Sequence, residues 1–119
     1  MENCVFCKII KGELPSTKRY EDEDFIIIDN INPLAKFSYL AIPKNHYGLL
    51  KQATTEDSQV LGKILKKIPE LEAELNLKDG YRLIVNQGEN GGQEIAHLHI
   101  HILSGEKLGW PNGIKPDNK

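Results

Sequence analysis

Hydrophobic positions in this 119-residue chain change period along its length, and each change predicts a different element. Val5, Phe6, Ile9 and Ile10 recur at helical spacing, and Gly12 with Pro15 closes that segment, which predicts a short N-terminal helix. Thr17 to Glu21 and Phe25 to Asp29 read as two strands around the acidic turn Asp22-Glu23-Asp24. Asn30-Ile31-Asn32-Pro33 breaks the pattern. Phe37 to Ile42 is a third strand stopped by Pro43, and His46 follows in a loop. Val60, Leu61, Ile64, Leu65, Ile68, Leu71 and Leu75 fall on one face of a long helix, with Thr54 or Thr55 as cap and Asp57 in the first turn. Pro69 removes a backbone donor inside that run, so a kink or a break is expected there. Lys63, Lys66 and Lys67 are expected to be solvated. Tyr81 to Val85 forms a fourth strand, and the loop Asn86 to Gln93 joins it to a fifth.

That fifth strand is read at His97-Leu98-His99-Ile100-His101-Ile102, where histidine alternates with aliphatic residues. Side chains alternate faces on a strand, so three imidazoles are expected on one side and three apolar groups on the other. The order strands, helix, strands implies an α+β fold: a mostly antiparallel five-stranded sheet with one long helix and a short N-terminal helix. The chain reads as a single domain over 1–119, its tail from about residue 111 loosely ordered.

Composition narrows the class. A formal net charge of -2 and no basic stripe argue against nucleic acid as the main partner. No apolar run approaches the ~20 residues of a membrane span, so cytoplasmic residence is the expectation. Cys4 and Cys7 make a CxxC pair. Its spacing alone leaves zinc, a redox couple and two inert thiols all open.

Three of the four histidines lie in the alternating run. The outer two are roughly 13 Å apart along an ideal strand at ~3.3 Å per residue, too far to chelate one metal together. The row therefore divides its labour. As pure structure it would make a poor core, because each buried ring nitrogen needs a partner. It could chelate through His-x-His, or a central imidazole could attack phosphorus while a neighbour handles a proton. Glycines 88, 91 and 92 in the preceding loop permit close backbone approach to an anion such as phosphate, although glycine-rich hairpin loops are mostly just turns.

The alternating run resembles the signature of the histidine triad family. Cys4 to Ile10 followed by Gly12-Glu13-Leu14-Pro15, Tyr20-Glu21-Asp22, Ile31-Asn32-Pro33, Ile42-Pro43-Lys44-x-His46, Gly80-Tyr81-Arg82, Gly91-Gly92-Gln93 and Gly109-Trp110-Pro111 extend the likeness to its nucleotide-binding branch. The resemblance implies a purine nucleoside phosphoramidate hydrolase with His99 as covalent nucleophile and His101 beside the phosphate and leaving group. It implies contacts from Asn86, Gly92 and Gln93 around phosphate and ribose, and an apolar base pocket at Val5, Phe6, Ile9, Ile28 and Ile31. It further implies a homodimer in which Trp110 reaches the partner's site. Zinc-binding members of the family imply a structural zinc on Cys4, Cys7, His46 and His97. The chain departs from the branch at Asp29-Asn30, where a His-Asp pair is common, so Asn30 replaces a ribose-binding carboxylate. Glu94 stands where many relatives carry serine, although glutamate there also resembles bacterial members. A sister branch with the same triad hydrolyses dinucleoside polyphosphates, and a nucleotide-binding adaptor is a further alternative.

Overall fold

The computed structural model describes residues 3–110; the tail expected from about 111 lies outside them. Helix α1 spans Val5–Ile10, strands β1 and β2 span Lys18–Glu21 and Phe25–Asp29, and β3 spans Phe37–Pro43. A 3-10 turn at Leu50–Gln52 leads into α2, Thr55–Glu70, followed by β4, Tyr81–Ile84, and β5, Ile100–Ser104. The five strands form one sheet in the order β1-β2-β3-β5-β4, and every neighbouring pair is antiparallel.

Alternation along β2, β3 and β5 sorts side chains into two layers. Phe25, Ile27, Tyr39, Ala41, Ile100 and Ile102 face α2, where Ile64 and Ile68 join Leu75 and Leu77 in the larger core cluster. Ile26, Ile28, Leu40 and Ile42 face the opposite way and pack on Phe6 of α1. This second face carries His101, which stands opposite Leu40 of β3 in the sheet register.

Thr54 caps α2. Its hydroxyl accepts from the Asp57 amide while the Asp57 carboxylate accepts from the Thr54 amide, a reciprocal capping box. The helix stops at Glu70, one residue past Pro69, so the proline acts as a break and not as a mid-helix kink. Leu71 ends the helix and Leu75 lies beyond it, still fully buried. Two of the three lysines expected to be solvated are also paired: Lys63 with Asp24 at 2.9 Å and Lys67 with Glu70 at 3.0 Å.

The largest difference from the sequence reading concerns the histidine run. Regular pairing begins only at Ile100, so His97, Leu98 and His99 precede β5. Leu98 donates its amide to Tyr47 in the loop after β3, at 2.7 Å, instead of to a sheet partner. That diversion carries His97 away from the ladder toward the N-terminal cysteines.

Candidate metal centre and active site

Cys4 is the N-cap of α1 and Cys7 lies within its first turn, a spacing that turns both thiols to one side. The Cys7 amide donates to Cys4 Sγ at 3.4 Å, as at a metal-binding helix start. The loop after Pro43 delivers His46, and the diverted segment delivers His97. Cys7 Sγ lies 3.3 Å from His46 Nδ1 and 3.6 Å from His97 Nδ1, Cys4 Sγ lies 3.4 Å from His97 Nδ1, and the two Nδ1 atoms are 3.1 Å apart. All four ligand atoms fall within 4.8 Å of one another.

Tetrahedral zinc with bonds of ~2.3 Å to sulfur and ~2.05 Å to nitrogen requires N···S edges of ~3.5 Å and N···N edges of ~3.3 Å. The three N···S edges of 3.3, 3.4 and 3.6 Å and the N···N edge of 3.1 Å match within a few tenths of an ångström. The chemistry agrees: His97 Nε2–H donates to the Pro43 carbonyl at 2.7 Å, which leaves the Nδ1 lone pair directed at the cluster. His97 is fully buried, and burial holds its imidazole below its ordinary pKa, in the neutral form a metal requires. Burial, and next the hydrogen bond with Cys4, raise the Cys7 thiol; a bound dication reverses that preference and takes the thiolate. The CxxC question therefore resolves toward metal. Four protein ligands close the coordination shell, so the site is structural.

His99 lies beyond the metal ligands. Its Nδ1–H donates to the main-chain carbonyl of His97 at 2.8 Å, which fixes the tautomer and leaves the Nε2 lone pair free. Phe6 touches the edges of both rings, with centroids 5.9 Å from His97 and 5.1 Å from His99. His101 follows on β5 with its ring centroid 5.1 Å from that of His99. Burial foremost, then the neighbouring His99, depress the His101 pKa, while Glu94 opposes them. Its Nδ1 is buried and has no hydrogen-bond partner among the described residues.

The remaining sequence-predicted residues separate into two groups. Phe6 and Ile28 are buried together, and Ile9 packs against them, whereas Val5 is 38% exposed and Ile31 89% exposed. Asn86 and Gln93 shape the glycine loop: Asn86 donates to the Gly91 carbonyl at 2.7 Å, and Gln93 binds Gly48 and Ile95 carbonyls while accepting from the Gly88 amide. Gly88 and Gly92 adopt positive φ. Asn30 accepts from the Asn32 amide at 3.0 Å and lines a shallow cleft with Arg19, Asp29 and Tyr39 that contains none of the histidines. Asp29 is held by Arg19 through two bonds of 2.7 and 2.8 Å. Trp110 is 54% exposed at the end of the described residues, where Arg82 donates to the Gly109 and Leu108 carbonyls.

Several supporting groups have no sequence signature. The Pro43 and His97 carbonyls that orient two of the histidines are main-chain atoms. Asn45 donates to Asp57 at 2.8 Å and so ties the His46 loop to the cap of α2. A concavity of about 860 Å³ around Phe37, Asn76 and Gly105 includes none of the histidines. A smaller cleft of about 460 Å³ borders the metal centre at Asn3, Cys4, Val5, His46 and Glu94.

Residues 3–110 match the family model described as "Scavenger mRNA decapping enzyme C-term binding". The fold and sequence are similar to those of a histidine triad protein from Clostridium difficile, at 40% identity and a TM-score of 0.86, covering 92% of this chain and 96% of that one. The chain belongs to the histidine triad family. A HIT family hydrolase from Clostridium thermocellum is 46% identical, with a TM-score of 0.87 over 94% of this chain and 98% of its own. A zinc-bound histidine triad family protein from Mycobacterium smegmatis is 31% identical, with a TM-score of 0.78 over 94% and 86%. The family's antiparallel sheet is the one found here, and a zinc-bound relative accords with the four-ligand centre.

Proposed function

We propose that this histidine triad protein hydrolyses the phosphorus–nitrogen bond of purine nucleoside 5'-phosphoramidates through a covalent nucleotidyl-His99 intermediate. The observation that carries the reading is the 2.8 Å bond from His99 Nδ1–H to the His97 carbonyl, which orients the ring and turns Nε2 away from that carbonyl. The similarity to a HIT family hydrolase supports hydrolysis as the reaction class.

In the first displacement His99 Nε2 forms a bond to phosphorus as the P–N bond breaks, and the departing amine takes a proton from His101. Water attacks the nucleotidyl-histidine in the second displacement, returns a proton to His101 and releases the monophosphate and free His99. Gly92, Asn86 and Gln93 belong to the loop that receives the phosphate, while Phe6 and Ile28 supply the apolar wall for the base. Zinc, when bound, supplies a structural cross-link through Cys4, Cys7, His46 and His97. Purified protein assayed against a panel of adenosine and guanosine phosphoramidates should release amine and monophosphate in equal amounts; dinucleoside polyphosphates cleaved in preference would favour the sister activity. The two reduced thiols suit a cytoplasmic setting.

A Cβ added to Gly91 would collide with the Gln87 main chain. Gly91→Ala should therefore displace the loop and weaken purine monophosphate binding by ~10-fold, about 1.4 kcal/mol, in calorimetry. Unchanged affinity would remove the loop from the phosphate site.

Asn30 is proposed to read the ribose with its side-chain carbonyl, which already accepts from Asn32. A carboxylate has a second oxygen and a charge, so Asn30→Asp should tighten ribonucleotide binding by roughly 1 kcal/mol and leave 2',3'-dideoxynucleotides unaffected. Equal effects on both ligands would withdraw Asn30 from the site.

Homodimerisation is part of the same reading, supported by exposed Trp110 at the end of a segment that Arg82 fastens along β4. Light scattering should give twice the 13.4 kDa chain mass. A monomer at assay concentrations would exclude a partner's Trp110 from the site.

A further inference from the structure

We propose that the metal centre is a positioning device for His99, beyond its role as a cross-link, and that Cys4, Cys7 and His97 act on the nucleophile through it. Two routes run from the four ligands to the same ring.

The first route is the main chain of His97. Its imidazole is gripped from both sides, by the cluster at Nδ1 and by the Pro43 carbonyl at Nε2. The segment bearing it has no ladder pairing, since β5 starts at Ile100, and its main chain is tied through the Leu98 amide to the carbonyl of Tyr47, the neighbour of the ligand His46. The carbonyl of this same residue accepts the His99 Nδ1–H bond. Anything that frees the His97 side chain therefore loosens the acceptor that selects the His99 tautomer.

The second route is α1. A helix of six residues cannot hold its own shape in water. Phe6, Ile9 and Ile10 fasten its body to β2 and β3, whereas its N-terminal turn depends on Cys4 and Cys7. Phe6 lies between those two cysteines in sequence and meets both imidazole edges. Without a cation, two Nδ1 atoms 3.1 Å apart, each in contact with a thiol sulfur, have no common charge to satisfy, and the cluster should spread. The spread falls on the turn that carries Phe6 and on the His97 segment, both of which reach His99.

The relevance to turnover rests on His99 being the nucleophile, yet the test needs no substrate. Full-length protein is compared zinc-loaded, chelator-stripped, and as the Cys4→Ser/Cys7→Ser variant. Nitrogen-15 NMR at pH 8 reads the His99 tautomer, and amide exchange reads α1 against β2 and β3. In the loaded protein His99 should be protonated at Nδ1 alone. In both metal-free forms it should become a mixture of Nδ1–H and Nε2–H, and amides of α1 should lose at least ~10-fold more protection than those of β2 and β3, whose loss follows global stability. A single Nδ1–H tautomer in the stripped protein would overturn the proposal whatever α1 does. So would an equal loss of protection in α1 and in the sheet in both metal-free forms, since the metal would then hold the whole fold rather than this site. Failure to cleave phosphoramidates leaves both readouts intact, so the two readings fail separately.

Discussion

Replacing His99 with alanine should lower phosphoramidate turnover by at least ~10³-fold while purine monophosphate binding survives, because a nucleophile knockout removes the covalent pathway itself. The geometry gives the reason. Among the three imidazoles of the run, His97 has both ring nitrogens engaged, one by the cysteine cluster and one by Pro43, and is fully buried. His101 has its Nδ1 buried without a partner among the described residues, and its ring lies 5.1 Å from that of His99, beside the reacting group. His99 combines an anchored Nδ1–H with a free Nε2. Truncation leaves Phe6 and Ile28 in place, so base binding should change little. Steady-state kinetics and calorimetry on the same preparation check both halves. Turnover within a few-fold of the unsubstituted protein would reject His99 as nucleophile.

Removing the metal should produce the second large effect. Metal analysis of protein purified without chelator should find about one zinc per chain, as four-ligand structural sites do. Ligand linkage contributes about 4 kcal/mol when free metal exceeds its dissociation constant a thousandfold. For a domain of this size that corresponds to a fall in Tm of ~15 °C on stripping. Cys7→Ala should reproduce most of the loss, because Cys7 touches both histidine ligands while also sitting in the first turn of α1. Differential scanning calorimetry with and without chelator is the check. A zinc-free preparation with an unchanged Tm in chelator would remove the metal from the account.

Much of this was legible in the chain before any fold was seen, for physical reasons that differ by residue. The near-continuous apolar runs in Phe25 to Asp29 and Phe37 to Ile42 report a sheet buried on both faces, and the observed β2 and β3 follow them closely. The period of α2 and its Thr54–Asp57 cap are local signals, and both survive in the structure. Cys4, Cys7, His46 and His97 were joined only by likeness to a family, since their separations of up to 93 positions carry no local pattern. The strand expected at His97 failed for a related reason. Alternation predicts which side a residue faces, but it does not register that Leu98 donates to Tyr47 and pulls His97 out of the ladder. Asn86 and Gln93 showed a different gap. Their side chains spend hydrogen bonds on main-chain groups of the loop and of Gly48, a use that residue type alone does not separate from contact with a ligand.

The covalent intermediate is the most direct test of the central claim. Protein mixed with excess adenosine phosphoramidate, quenched in alkali within milliseconds and digested, should show a peptide containing residues 97–101 that carries one adenylyl group on His99. The adduct should rise before monophosphate reaches its steady rate and be absent from His99→Ala. Full product formation with no adduct at any time, or an adduct on another residue, would contradict nucleophilic catalysis by His99.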